Sequence, residues 1–430
     1  IILQGIATKQ KNLTEPQLIQ YEAKQHQLPH QEIAGHAKKI IHMLNQAGYE
    51  AYLVGGAVRD LLLGLHPKDF DIATDATPEE IKTVFRNKCR IIGRRFRLAH
   101  VYMGQTVYEI ATFRGGSTGD VLMKKGQIIR DNVFGTIEED ALRRDFTCNA
   151  LYYNVATETI LDYAGGVDDI KQGELKLIGI PDNRFIEDPV RMLRAVRFHA
   201  KLGLHLTDEL KQSIIKNRNC LKNVPTARLF DEAVKMFHCG NMLHAFDSLM
   251  ELNLFDILFP AATKIAHADD ELKSLLYQAF KNTDNRLKNG QSVTPVFLTA
   301  CVLWLEFLPA YRYVLSQGKN AHDALHQATT LVMEQQRPHL AIPKALQNGI
   351  RQMWLLQLRF KKMYGKPVFS TLHHPRFRAA YDFLLLRAKI KPELDSQEEF
   401  WTNIQNMPPD AIKSMVFGKR VKRKKVSTDL

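Results

Sequence analysis

The chain has 430 residues, with 59 Lys and Arg against 46 Asp and Glu for a net charge of +13, and its 45% apolar and 24% charged residues exclude wholesale disorder. Five scattered cysteines, Cys89, Cys148, Cys220, Cys239 and Cys301, form neither a CxxC pair nor a disulfide framework, which points to a reducing, cytoplasmic setting. No apolar run approaches the ~20 residues that span a bilayer, and the positive excess implies a polyanionic partner.

Residues 1–32 are rich in Gln and Lys without a sustained period, and are expected to form a poorly ordered arm. From Ile33 the pattern changes: Ile33, Ala37, Ile40, Ile41, Leu44 and Ala47 recur at helical spacing until Gly48 stops the run. Residues 50–54 read as a strand, 58–63 as a helix and 69–72 as a second strand. Thr77-Pro78-Glu79-Glu80 places a capping residue before Pro at the first helical position, so a helix starts at 78. Segments 101–103 and 106–113, divided by Gly104, read as a hairpin, and the glycine-rich stretch 115–126 as a mobile loop. Mixed strands and helices over 33–180 predict an α+β domain. Beyond Asp188 helical periodicity dominates, over 190–201, 228–237, 244–249, 295–307, 345–360 and 375–387. The last 15 residues, 416–430, carry a basic block of Lys419, Arg420, Lys422, Arg423, Lys424 and Lys425, self-repelling and expected to be disordered until it meets an anion.

Four motifs carry chemistry. Gly55-Gly56-Ala57-Val58-Arg59-Asp60 lies between a strand and a helix, where paired glycines admit a ligand close to the backbone and Arg59 adds a charge-assisted contact to phosphate. A plain strand-to-helix turn uses the same residues. In Lys68-Asp69-Phe70-Asp71-Ile72, a period of two sets Asp69 and Asp71 on one strand face. Their repulsion is relieved by a divalent cation such as Mg²⁺, which prefers one or two carboxylates plus substrate phosphate. The bland alternative is a solvated edge strand, but a DxD soon after a phosphate loop favours the metal. Glu109, in the next strand, either completes that metal shell or is simply exposed. Arg143-Arg144-Asp145-Phe146-Thr147 closes an acidic helix, where the arginines suit the helix dipole and Asp145 suits a ribose or a metal contact. In Glu187-Asp188-Pro189-Val190-Arg191-Met192-Leu193-Arg194-Ala195-Val196-Arg197-Phe198, Asp188 and Arg191 are surface neighbours, and Arg191, Arg194 and Arg197 repel at i+3 unless an anion lies on them. A solvated basic face is the other reading.

In this order, GGxVRD, DxD, RRDFT and EDPVRMLRAVRF resemble the class II nucleotidyltransferases, the family of bacterial poly(A) polymerases and CCA-adding enzymes. The resemblance implies a head with a small mixed sheet (33–180), a helical neck that binds base and RNA (181–260), and a helical body with an arginine-rich C-terminal domain that binds RNA (261–415). Three features are similar to the poly(A) polymerase branch: Ile91-Ile92-Gly93-Arg94-Arg95-Phe96-Arg97-Leu98-Ala99-His100-Val101, the segment Pro375–Leu385, and the terminal basic block.

The resemblance implies template-independent addition of AMP from ATP to RNA 3′ ends in mRNA processing and decay, with release of pyrophosphate and two Mg²⁺ ions. It places Asp69 and Asp71 on the metals, Asp145 in the active site, Glu109 as an additional carboxylate, and Gly55, Gly56 and Arg59 on the triphosphate. Asp188, Arg191, Arg194 and Arg197 are then expected on the base and nucleotide, and Lys419–Lys425 on sequence-independent RNA phosphates. A CCA-adding tRNA nucleotidyltransferase is the alternative on the same scaffold. A non-catalytic RNA-binding protein is the alternative of another class.

Overall fold

The computed structural model describes residues 18–93, 97–115, 122–124, 127–130 and 133–417. The chain divides into two compact units: Ile1–Arg184 with Leu202–Leu210, and Phe185–Lys201 with Lys211–Leu430. The first holds the sheet and the second is helical, in line with the predicted α+β class.

The strands of the first unit are β1 Ile19–Tyr21, β2 Ala51–Val54, β3 Ile72–Thr74, β4 Cys89–Ile92, β5 Leu98–Met103, β6 Thr106–Thr112, β7 Leu122–Lys124, β8 Gln127–Arg130, β9 Leu151–Asn154, β10 Thr159–Asp162, β11 Glu174–Leu175 and β12 His205–Leu206. Eight of them make one mixed sheet in the order β1-β10-β9-β2-β3-β6-β5-β4. The hairpin predicted around Gly104 is β5–β6, closed by the pair Met103 and Thr106. β3 runs parallel to β6 with Ile72 level with Ile110. Helix Gly35–Gln46 packs on β2 through the predicted stripe of Ala37, Ile40, Ile41 and Leu44, all buried. Elsewhere in the unit, Val54, Ala73, Phe113, Ala141, Ala150 and Tyr152 form a core cluster. Helix Pro78–Phe85 starts as predicted, with Thr77 and Glu80 in a reciprocal capping box.

Two expectations give way. Residues 18–32, assigned to a poorly ordered arm, form β1, paired antiparallel with β10 from Ile19 opposite Asp162, and helix Ala23–His26. Here His26 is buried, its Nε2–H donating to the Glu158 carbonyl at 2.9 Å while Nδ1 accepts from Leu28 N–H at 2.9 Å. Backbone pairing and one histidine make this attachment, and neither leaves a hydrophobic period to read. Within the stretch 115–126, read as a loop, Leu122–Lys124 forms β7 and pairs antiparallel with β8, which lies just beyond the stretch.

The helical unit contains Val190–Leu202, Thr226–Phe237, Met242–Glu251, Pro295–Ser316, Lys344–Arg359 and Phe377–Ala388, all anticipated in part from periodicity. Its core is aromatic: Trp304, Trp354 and Trp401 are fully buried, and Phe307 stacks on Trp354 with ring centroids 4.2 Å apart. Helix Pro295–Ser316 is long and apolar enough by length and composition to cross a membrane, against the expectation of no such run, but 72% of its apolar window is buried inside the structure. It is the central helix of the helical core, apolar all round because it is surrounded.

Candidate active site

β2 ends at Val54, and Gly55 turns the chain with φ +70° and ψ −124° into helix Gly56–Leu62. That φ favours glycine, and a Cβ there would lie 3.3 Å from Arg144 Nη1. The turn therefore runs directly under a guanidinium. Arg59, expected against a triphosphate, is buried beside the turn, its Nη2 3.5 Å from where a Cβ on Gly56 would lie. It is 4% exposed, donating to Asp60 Oδ1 through Nε at 2.9 Å and Nη2 at 2.6 Å, and to Asn149 Oδ1 through Nη1. A buried cation between two acceptors braces the turn from inside.

Asp69 and Asp71 precede β3 instead of lying within it. The ladder starts at Ile72, although Val54 N–H still donates to the Asp71 carbonyl at 3.0 Å. By the parallel register, Asp71 comes level with Glu109 of β6. Like charges set side by side oppose closure of the ladder at that level. Both aspartates and Glu109 keep open surface, and Glu109 also meets His100 Nε2 at 3.5 Å. Burial of its carboxyl, then the charges of Glu109 and Asp69, push Asp71 up to about 6, while the Arg144 guanidinium draws it down. The site thus gathers uncompensated negative charge, with one cation at its margin.

Arg144 is held by a network of its own. Nε donates to the Tyr152 hydroxyl at 3.0 Å, Nη2 to Asp140 Oδ2 at 2.9 Å, and the guanidinium lies 5.2 Å over the Tyr152 ring. Arg184 Nη2 donates to the carbonyls of Arg143 and Arg144 at 3.0 and 2.6 Å, clamping the turn that follows helix Ile137–Arg143. Next in the chain, Asp145 Oδ1 accepts from Phe146 N–H at 2.8 Å and from Asn149 Nδ2 at 3.1 Å. Asn149 therefore joins Asp145 to Arg59, and through it the Gly55 turn to the Arg144 turn. Arg144 had an adequate reading as a helix-dipole partner, and Asn149 none. Their contacts span up to 90 residues, so no local pattern announces them.

In the helical unit, Asp188 Oδ2 accepts from Arg228 at 2.7 Å, Arg191 Nη1 donates to Glu187 at 2.8 Å, and Arg197 pairs with buried Glu232. Arg194 and Arg197 lie over the Phe198 ring at 5.4 and 4.5 Å. The repulsion expected along this helix is thus already offset by carboxylates of the same unit, and Arg191 is buried, so the face is not a solvated basic stripe. The basic block Lys419, Arg420, Lys422, Arg423, Lys424 and Lys425 lies outside the described residues, as do Arg94, Arg95 and Phe96.

Among the described residues no group of three or more His, Cys, Asp or Glu is arranged to hold a metal ion. The donor chemistry of the Asp69–Asp71 pair, with Glu109 acting on it, nevertheless fits Mg²⁺, which takes few protein carboxylates and keeps waters and substrate phosphates.

Comparison with known proteins gives 44% identity over 416 residues to "Poly(A) polymerase I" of Salmonella typhimurium, covering 94% of this chain and 89% of that protein. The chain belongs to the poly(A) polymerase family. Family models agree along its length: "Poly A polymerase head domain" matches residues 51–176, "Probable RNA and SrmB-binding site of polymerase A" residues 203–265, and "Polymerase A arginine-rich C-terminus" residues 317–428. A "CCA-adding enzyme" of Bacillus pumilus is 36% identical over 223 residues, 52% of this chain and 54% of that protein. Among solved structures, a tRNA nucleotidyltransferase complexed with a primer tRNA and an incoming ATP analog matches with a TM-score of 0.57 at 20% identity, covering 85% of this chain and 99% of that one. At that identity the likeness speaks for the poly(A) polymerase family's fold alone.

Proposed function

We propose that the chain adds AMP from ATP to RNA 3′ ends without a template, releasing pyrophosphate. The observation that carries this is the reach of the similarity: it extends over 94% of the chain for the Poly(A) polymerase I relative and stops at 52% for the CCA-adding one. The CCA-adding reading is the weaker. All five cysteines are free, as suits a reducing cytoplasm, where such a reaction serves mRNA processing and decay.

In this reading Asp69 and Asp71, with Glu109 beside them, hold two Mg²⁺ ions. Bound there, the metal supplies positive charge that activates the 3′-hydroxyl and stabilises the leaving oxygen. The rest is positioning. The Gly55–Gly56 turn lets the triphosphate approach the backbone beneath Arg144, and Arg59 keeps that turn in place from the interior. Asp145 addresses the ribose, its free rotation removed by Asn149 and Phe146 N–H. Asp188, Arg191, Arg194 and Arg197 serve base and nucleotide, with Arg228, Glu187 and Glu232 holding Asp188, Arg191 and Arg197 in place. The block Lys419–Lys425 holds RNA phosphates irrespective of sequence.

The deciding experiment offers purified protein ATP alone, CTP alone or both together, on a short RNA and on a tRNA lacking its 3′ end. Long homopolymer grown from ATP on either RNA is the expected result. Two C residues followed by one A, confined to the tRNA, would instead identify a CCA-adding enzyme, and no incorporation from either nucleotide a non-catalytic RNA-binding protein.

A further inference from the structure

The C-terminal end of the helical unit leaves two large aromatic rings, Tyr364 and Phe417, mostly exposed. Helix Pro409–Phe417 is anchored by buried Ile412 and Val416, while Phe417 remains 59% exposed. The turn before helix Lys366–Leu372 is pinned to it: Gly365, at φ +73°, donates its N–H to the Val416 carbonyl at 3.2 Å. This brings Tyr364, 55% exposed, beside the helix end. The Phe369 and Phe417 rings lie parallel within 17°, their centroids 6.1 Å apart. The same stretch is basic. It contains Lys361, Lys362 and Lys366, and no Asp or Glu occurs between Phe360 and Tyr381. On the facing helix, Lys413 shares its charge with Asp410 at 3.3 Å.

We infer that Tyr364, Phe369 and Phe417 form a stacking platform for unpaired bases of the RNA substrate, with Lys361, Lys362 and Lys366 on its phosphates. Every base presents a π face, so ring stacking between cations binds single strands with little regard for sequence, as extension of any 3′ end requires. The platform lies outside residues 203–265 and within residues 317–428, the arginine-rich C-terminus, for which the resemblance implies RNA binding and the platform supplies the residues. It also leads within two residues of Phe417 into the basic block that starts at Lys419. Exposed rings with lysines would also suit an anionic lipid surface. RNA is favoured because the inference rests on the proposed reaction, which supplies an RNA strand to this chain.

The test measures binding of the full chain to a single-stranded oligoadenylate, without ATP, as a function of salt. Tyr364→Ala combined with Phe417→Leu is expected to weaken binding about tenfold or more while leaving the salt slope unchanged, because stacking is lost and the lysines remain. Tyr364→Phe, which keeps the ring, should bind as the unaltered chain does. Lys362→Ala with Lys366→Ala should lower the slope. Unchanged affinity in the Tyr364/Phe417 variant would overturn the platform. So would a loss seen only with vesicles of phosphatidylglycerol and phosphatidylethanolamine, which would assign the patch to a membrane. Incorporation of AMP by the unaltered chain is scored separately, so failure of the platform and failure of the polymerase reading are distinct results.

Discussion

Asp71 sits where three carboxylates converge and one guanidinium answers them. Its acidity is weakened to about 6 by burial, Glu109 and Asp69, so at neutral pH the metal-free head carries an ionised group that its surroundings disfavour. Folded Asp71 keeps its proton to higher pH than it does unfolded, and stability from this group falls as pH rises towards 6. Asp71→Asn removes that charge, and the thermal midpoint of the protein in a chelator should rise above that of the unaltered chain at neutral pH. The same position should be indispensable to turnover. Asp71→Ala is expected to cut AMP incorporation by at least about a hundredfold with RNA affinity nearly intact, and residual turnover above a few per cent in a clean preparation would remove Asp71 from the metal site. The opposed effects distinguish a functional carboxylate from a structural one, whose loss would lower both. Asp69 and Asp71 were legible because a DxD soon after a glycine turn is a local pattern, even though the pair precedes β3 and does not alternate along it. Arg144 and Asn149 were not, because their meaning lies in partners on other elements: Gly55 for the one, Arg59 and Asp145 for the other.

At the level of elements, what could be read was what is encoded within one turn or one alternation. The capping box at Thr77, the stripe on helix Gly35–Gln46 and the break at Gly104 are such cases. Pairing between distant segments could not be read that way. β1 is three residues long and gains its place only by bonding to β10, and the parallel register of β3 on β6, which sets Asp71 level with Glu109, leaves no mark in either strand. Helix Pro295–Ser316 shows a third limit. The helix was expected to close at Phe307, two residues before Pro309, but it continues because Tyr311 and Val314 are buried beyond the proline, and packing outweighs the lost hydrogen bond. This helix also carries Glu306, buried and pushed up to about 7 by that burial, with Oε1 accepting Ala262 N–H at 3.1 Å. Unfolded, the carboxyl loses its proton near 4.5; folded, it holds it to about 7. The folded state therefore binds the extra proton in between, and stability falls as pH rises through that window before levelling off. Glu306→Gln keeps the acceptor and removes the ionisation. Relative to the unaltered chain it should gain about 3 kcal/mol across the window, read by chemical denaturation at several pH values. A difference independent of pH would show that burial does not hold the proton on Glu306.

Across the whole molecule, the charge of +13 is unevenly placed. Six of the positive charges fall in the seven positions 419–425, and without them the formal charge drops from +13 to +7. Much of what remains in the motifs is already engaged: Arg59 by Asp60, Arg144 by Asp140, Arg191 by Glu187 and Arg197 by Glu232. Cations held by carboxylates release few counterions when a nucleic acid arrives, so they orient a nucleotide more than they attract a strand. The long-range attraction of RNA should then rest mainly on the terminal block. Salt dependence measures this directly, since each phosphate neutralised on a single strand contributes about 0.7 to the slope of log affinity against log salt. Deleting 419–430 should lower that slope by up to about 4, the value for six contacts, and weaken binding most at low salt. AMP incorporation at saturating RNA should be retained, because the carboxylates and the Gly55 turn belong to the other end of the chain. An unchanged slope would show that the block is a solubilising charge run, and would return RNA attraction to the lysines and arginines of the helical unit.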